Sequence, residues 1–330
     1  MKPLVDAKRS FGTRTTAQVL VQHFADGRWG ESRLEATGPL ALHPLTQVLH
    51  YGASVFEGLK AHRQADGSLA LFRPLDHLAR LNRSAQRMCL PTVDVERTLA
   101  GIAELVASAA AEVPAAPGSL YLRPLLFSED AAIGYSTPER AWFVTMLVPV
   151  SPLFKEARLR TELQYVRAAP GGTGAAKCAG NYGGALLAQK QALVEGFSEV
   201  LWLDARERRW IEEAGGMNVM FVRKGVLTTP PLTDTILPGV TRASLLTLAK
   251  DLGLPAEERP LAVDDDWSEV SEAFMSGTAA GTAHIKEIVH HGKTLFARPE
   301  PGPIATRLGP HLERLKFGHE PDPHGWRYRV

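Results

Sequence analysis

The run Gly171-Gly-Thr-Gly-Ala-Ala-Lys-Cys-Ala-Gly-Asn-Tyr182 decides how this chain is read. It sets Lys177 among residues too small to cover it and places a tyrosine five positions on. Lysine in water is a hydrated cation; shielded from water, or beside another positive group, it gives up its proton more readily, and the free amine attacks a carbonyl carbon. Lys177 is therefore the first nucleophile candidate, suited to Schiff-base chemistry. Two plainer readings compete. A phosphate-cradling loop requires Gly-Lys-Ser/Thr, whereas Lys177 stands between Ala176 and Cys178, so that reading is excluded. A solvated lysine on a surface loop is the better reading of the run in isolation, and only residues elsewhere in the chain can displace it.

The segment Trp210-Ile-Glu-Glu-Ala-Gly-Gly-Met-Asn218 puts two carboxylates before a Gly-Gly turn and an apolar strand. Glu213 is either a solvated turn residue or the fixed carboxylate that keeps a pyridine ring protonated and electron-withdrawing. Thr235-Ile-Leu-Pro-Gly-Val-Thr-Arg242 opens a helix through a Pro-Gly turn. The amides of Val240 and Thr241 then lie at the helix N-terminus, where unsatisfied N–H groups and the helix dipole attract an anion such as phosphate; a plain capped helix has the same pattern. Met275-Ser-Gly-Thr-Ala-Ala280 ends a strand in small residues, so that backbone amides and the Thr278 hydroxyl can reach an anion. Arg80 shares a helix with Arg83 and Arg87, and a solvated face is the default for all three. In Ser119-Leu-Tyr-Leu-Arg-Pro124 the period of two sends Tyr121 and Arg123 to one face and Leu120 and Leu122 to the other. Such a wall suits a substrate that is part apolar and part carboxylate, though a surface pair on an edge strand fits equally.

At 330 residues the chain is long for one core, and two domains are expected. A formal net charge of +1 without a basic run gives no footprint for a polyanion, so nucleic acid is not expected as a partner. Cys89 and Cys178 are the only cysteines, too few for a disulfide framework or a Cys-rich zinc site, which points to a reducing, cytoplasmic setting and to no metal. Residues 1–12 lack the apolar core of a signal peptide, and no apolar stretch is long enough to span a bilayer, so no membrane association is expected.

Periodicity and turn residues predict strands at 68–72, 119–127 and 141–150, a helix from Pro74 towards Met88, and another capped by Asp94 and reaching Ala111. Two prolines in 149–155 mark a break, giving a smaller N-terminal domain (1–148), a linker (149–158) and a larger C-terminal domain (159–330). The second half reads as strands at 160–167, 199–203, 217–222 and 273–276, with helices at 179–196, 241–252 and 303–315. After Phe317 no element is expected.

Taken in order, these motifs resemble those of a branched-chain amino acid aminotransferase of the pyridoxal-phosphate fold type IV group. The resemblance runs nearly end to end: Phe11-Gly-Thr13, His50-Tyr-Gly-Ala-Ser-Val-Phe-Glu-Gly-Leu-Lys60, Leu71-Phe-Arg-Pro74, the lysine run, Val200-Leu-Trp-Leu203, Thr229-Pro-Pro231, Ile236-Leu-Pro-Gly-Val-Thr-Arg242 and Ser276-Gly-Thr-Ala279. It implies a two-domain α+β / α/β fold of the D-amino-acid aminotransferase type, with the active site between the domains and the Schiff-base lysine on the C-terminal one. It further implies pyridoxal 5'-phosphate as cofactor and reversible transfer of the amino group of leucine, isoleucine or valine to 2-oxoglutarate. By the resemblance Lys177 carries the Schiff base, Tyr182 bonds the phenolic oxygen, and Glu213 pairs with the pyridinium nitrogen. Arg80, Val240, Thr241 and Thr278 hold the phosphate, and Phe11, Phe56, Tyr121, Arg123 and the backbone at Ala279 and Ala280 shape the substrate pocket. Tyr51 and the loop Ile133 to Tyr135 reach in from the partner subunit of a homodimer.

The chain also departs from the family. Gly216 stands where many relatives carry a hydroxyl residue, 280–283 lacks the Cys-x-x-Cys of some animal relatives, His284-Ile-Lys286 replaces a Pro-containing continuation, and Leu153 sits at a linker position that is aromatic in some. Three alternatives stay open: a D-amino-acid aminotransferase, an aminodeoxychorismate lyase, or a pyridoxal-phosphate-binding protein without turnover.

Overall fold

The near-continuous apolar runs at 119–128 and 141–150 are too rich in branched and aromatic residues for exposed loops and too short for buried helices, so they form strands covered on both faces. In the computed structural model, which describes residues 11–134, 136–152 and 156–330, they pair antiparallel over their whole length, from Ser119 opposite Val150 to Ser128 opposite Ala141. The expectations placed on Tyr135 and Leu153 lie outside the described residues.

The chain divides into two compact units. The first, Met1–Leu153 with Ala176–Ala179 and Leu315–Val330, is built on an antiparallel sheet. Its strand order is Arg327–Arg329, Leu69–Phe72, Leu59–Arg63, Ser119–Ser128, Ala141–Val150, Gln18–Ala25, Arg28–Trp29. Leu120, Leu122 and Leu126 face Leu78, Leu81 and Ala85 of the Pro74–Arg87 helix and Ile102, Leu105 and Val106 of the Val95–Ser108 helix. Fully burying each such leucine, isoleucine or valine side chain contributes roughly 1.5–3 kcal/mol. Asp94 caps the second helix by accepting from Arg97 N at 2.9 Å. That helix ends at Ser108 and gives way to a short 3-10 turn, Ala110–Glu112, instead of running on to Ala111.

The second unit, Phe154–Ala175 with Gly180–Arg314, holds a mixed sheet. Its strands run in the order Ile211–Ala214, Glu199–Leu203, Glu156–Thr161, Gly281–His290, Val270–Gly277, Met217–Arg223, and Ile211–Ala214 pairs again with Met217–Arg223, which closes a ring of six. Leu159, Leu201, Val219, Phe221, Met275 and Ile285 belong to its core.

Two expectations are corrected. The strand predicted at 160–167 is Glu156–Thr161, because the Glu162 carboxylate accepts from Gln164 N and Tyr165 N and turns the chain away. The tail after Phe317 is not featureless: Arg327–Arg329 adds a strand beside Leu69–Phe72, with Trp326 packed edge-on to Phe72 and under the Arg73 guanidinium. In this division Ala176–Ala179, with Lys177, groups with the first unit, where Cys178 is buried in the core and bridges to Val55.

Among the described residues no helix is long and apolar enough to cross a membrane, and no group of His, Cys, Asp and Glu side chains is arranged to hold a metal ion.

Candidate active site

In the first unit Lys177 is gripped by its backbone. Its N–H donates to Ser84 Oγ at 2.9 Å, and its carbonyl accepts from Phe56 N at 3.0 Å. The side chain then runs over the Phe56 ring, with Nζ 5.0 Å from the ring centroid. The Arg123 guanidinium lies 4.7 Å from the same centroid and 5.5 Å from that of Tyr121. Phe11 meets Tyr121 edge-on at 5.4 Å. Five residues named from the sequence (Phe11, Phe56, Tyr121, Arg123 and Lys177) are thus brought together. Arg123 Nε is buried without a hydrogen-bond partner, a donor left to be satisfied by something that binds. Glycine at 58 is required by this packing: a Cβ there would come within 1.8 Å of the Tyr121 hydroxyl.

Arg80 is not on a solvated face. It is 4% exposed and forms a two-point contact with Glu57, Nε to Oε1 at 2.6 Å and Nη2 to Oε2 at 2.9 Å. His77 Nδ1 sits 2.8 Å from Glu57 Oε2. Burial by itself would raise the Glu57 pKa, but the charges of Arg80 and His77 outweigh it and hold the carboxyl well below the usual carboxylate range. His77 is shifted the other way from a typical ion-paired histidine: burial, with Arg80 and Lys177 adding to it, lowers its pKa against the pull of Glu57. Tyr51 and Ile133 are exposed, and the Tyr51 hydroxyl donates to the Ile133 carbonyl.

In the second unit the register aligns Glu213, Asn218 and Ser276 on three adjacent strands. Directly opposed residues share a face, so these three buried polar side chains form one row. Glu213 Oε1 accepts from Asn218 Nδ2 at 2.9 Å and from Leu237 N at 3.1 Å, and Oε2 lies 2.9 Å from Arg167 Nε. A carboxylate so held is fixed in its aim. Asn218 Nδ2 also donates to the Leu237 carbonyl at 2.9 Å, tying Glu213 to the start of the Val240–Asp251 helix. Gly239, the N-cap there, offers no side-chain cap to the first amides. Any Cβ at 239 would fall 1.9 Å from Asn218 Oδ1, so only glycine lets the helix begin at this point. Thr278, Ala279 and Ala280 form the turn after Val270–Gly277, and the Ser276 Oγ just before it is buried without a partner.

Tyr182, on the Ala179–Val194 helix, is exposed, and a Cβ added at Gly216 would stand 3.6 Å from its ring. The missing side chain at 216 is therefore not excluded by packing. Glu212, next to Glu213, alternates to the other side of its strand; burial raises its pKa against the Thr235 hydroxyl and Arg167.

Sequence reasoning missed Glu57, His77, Ser84, Arg167 and Asn218. Glu57 lies inside the quoted Phe-Glu-Gly-Leu-Lys motif, and His77 and Ser84 fall three before and four after Arg80 on one helix face, which was a usable signal. Arg167 had none, since its partners Glu213 and Thr235 are far along the chain.

The family model described as amino-transferase class IV matches residues 54–288. A branched-chain-amino-acid aminotransferase of Mycolicibacterium smegmatis is 40% identical over 96% of this chain and 90% of its own length. Two solved structures share the fold. The branched-chain aminotransferase of Thermoproteus uzoniensis with norvaline gives a TM-score of 0.81 at 28% identity, covering 94% of this chain and 99% of its own. The branched-chain amino acid aminotransferase of Escherichia coli gives 0.80 at 27% identity, covering 93% of this chain and 98% of its own. The anchored lysine, the held carboxylate and these matches agree: the chain belongs to the class IV aminotransferases.

Proposed function

We propose that this protein is a pyridoxal-phosphate-dependent branched-chain-amino-acid aminotransferase. It transfers the amino group of L-leucine, L-isoleucine or L-valine reversibly to 2-oxoglutarate, working as a homodimer in the cytoplasm. The observation that carries this reading is the placing of one amine, Lys177 Nζ, and one partnerless guanidinium donor, Arg123 Nε, against the same apolar ring of Phe56. A substrate with a reacting nitrogen at one end and either an aliphatic chain or a second carboxylate at the other matches that arrangement.

The residues fit the cofactor. Glu213 is a buried carboxylate that accepts two hydrogen bonds and pairs with the Arg167 guanidinium, and the helix at Val240 begins without a side-chain cap. Pyridoxal phosphate, when bound, supplies an electron-withdrawing ring and a phosphate anchor. Glu213 keeps a proton on the ring nitrogen, with Arg167 and Asn218 holding its charge in place. The amides of Val240 and Thr241, the Thr278 hydroxyl and Arg80 bind the phosphate, and the Tyr182 hydroxyl bonds the phenolic oxygen. Lys177 Nζ would take the proton from the α-carbon of the amino donor and, in the return half-reaction, deliver a proton to the α-carbon of the oxo-acid acceptor. Phe11, Phe56 and Tyr121 exclude water and receive the aliphatic chain, while Arg123 receives the distal carboxylate of glutamate or 2-oxoglutarate. The Ala279 and Ala280 backbone and the gap at Gly216 border the same substrate, and Tyr51, Ile133 and Tyr135 serve the site of the second copy.

The test is an amino-donor panel with 2-oxoglutarate on the cofactor-loaded protein. Leucine, isoleucine and valine should be the best donors. Preference for D-alanine would move the protein to a different activity of the same fold, and no half-reaction with any amino acid would leave a binding protein.

A further inference from the structure

Glu57 is fully buried, yet no step above uses it. Its two oxygens receive four contacts: Arg80 Nε and Nη2, His77 Nδ1 at 2.8 Å, and Gly58 N at 3.0 Å. A buried carboxylate is costly unless its oxygens are hydrogen-bonded and its charge is matched, and here both oxygens have donors and Arg80 supplies the opposite charge. What it holds is one particular cation in one particular pose. The two-point contact through Nε and Nη2 fixes the plane of the Arg80 guanidinium, which a single contact would leave free to swing.

The position of Glu57 along the chain gives that restraint a purpose. It directly follows Phe56, whose N–H holds the Lys177 carbonyl, while Arg80 shares its helix with Ser84, whose Oγ holds the Lys177 N–H. The Phe56–Glu57 segment and the Pro74–Arg87 helix are therefore clamped to each other at Glu57 and clamp Lys177 between them.

We propose that Glu57 is a positioning residue that sets Arg80 relative to Lys177, so that the phosphate-binding cation and the reacting amine keep a fixed spacing. The proposal rests on the reading of Arg80 as a phosphate ligand.

The experiment compares retention of pyridoxal 5'-phosphate with binding of pyridoxal, which lacks the phosphate, in Glu57→Asp, Glu57→Gln and Arg80→Lys proteins. Aspartate keeps the charge but draws the carboxylate back by one methylene, so it guards against the misfolding that glutamine could cause beside an unpaired buried arginine. Glu57→Asp should release pyridoxal phosphate about tenfold faster, the size expected for one charge-assisted hydrogen bond, with pyridoxal affinity and the melting temperature of the cofactor-free protein little changed. A merely structural role would weaken both ligands alike and lower the melting temperature, and would overturn the proposal. If Arg80→Lys loses phosphate selectivity and Glu57→Asp does not, Glu57 has no positioning role. If Arg80→Lys itself leaves selectivity intact, the phosphate reading of Arg80 falls and the proposal falls with it.

Discussion

Phe56 holds Lys177 at both ends: its backbone N–H donates to the Lys177 carbonyl at 3.0 Å, and its ring centroid lies 5.0 Å from the Lys177 amine. The first contact survives any substitution except proline, whereas the second depends on an aromatic face. Phe56→Leu separates them. A cation–π contact of about 1 kcal/mol corresponds to a loss of roughly fivefold in kcat, with melting temperature nearly unchanged; an unaltered kcat would show that the ring face does nothing for the amine.

Lys177→Ala removes the amine but leaves the backbone clamp from Ser84 and Phe56 in place. The variant should fold and still take up pyridoxal phosphate, without the visible absorbance band of a lysine-bound cofactor. Turnover should drop by about a thousandfold or more, within the range for loss of a general acid–base group. Retention of the wild-type spectrum would reject Lys177 as the attachment point.

Arg123→Ala distinguishes the two halves of the reaction. Arg123 lies beside Phe56 and Tyr121 with an unsatisfied buried Nε, which suits a carboxylate and is of no use to an isobutyl chain. A charged hydrogen bond contributes about 1.5–3 kcal/mol, so kcat/KM for glutamate should fall by roughly ten- to a hundredfold while that for leucine changes little. Equal losses for both substrates would remove the assigned role.

Gly239→Ala tests the tie between Glu213 and the helix at Val240. The added Cβ would press on Asn218 Oδ1 at 1.9 Å and push Asn218 away from Glu213 and Leu237. Overpacking of this kind costs about 1–3 kcal/mol, seen as a lower melting temperature, and the cofactor should be released faster. A variant as stable as wild type would show that Asn218 is not held as described.

His62 carries a pH prediction. It is buried, packs edge-on to Phe317, and neither ring nitrogen has a hydrogen-bond partner. Burial, then the charges of Lys316 and Lys60, lower its pKa well below 6.5. The unfolded chain therefore binds a proton that the folded chain refuses as pH drops below about 6.5. Stability should be lost on acidification below that point, by up to about 1.4 kcal/mol per pH unit from this one group. His62→Leu should flatten the dependence of melting temperature between pH 7 and 5, and an unchanged slope would assign the acid sensitivity to other groups.

Much of the fold could be read from local pattern. The strands Ala141–Val150 and Glu199–Leu203 have the expected limits, and the helix starts at Pro74 and after Asp94 follow from residues whose preference is local. The tail strand Arg327–Arg329 was illegible because three residues carry no periodicity; its identity comes from the Leu69–Phe72 edge it completes. Likewise Arg80 had the pattern of a surface cation, and only Glu57, 23 positions away, makes it a buried one.

What the sequence by itself determined is the inventory of chemistry: a lysine among small residues, a carboxylate before a Gly-Gly turn, a Pro-Gly turn opening a helix at Val240 and Thr241, and a tyrosine and arginine on one strand face. Those follow from residue type, steric size and the periods of helix and strand. Only the tertiary structure decided that Lys177 belongs with Phe56, Ser84 and Arg123, and that Glu213 is braced by Arg167 and Asn218. These are contacts between residues distant in the chain, made when buried polar groups must find partners, and local pattern has no term for a partner that arrives from another strand.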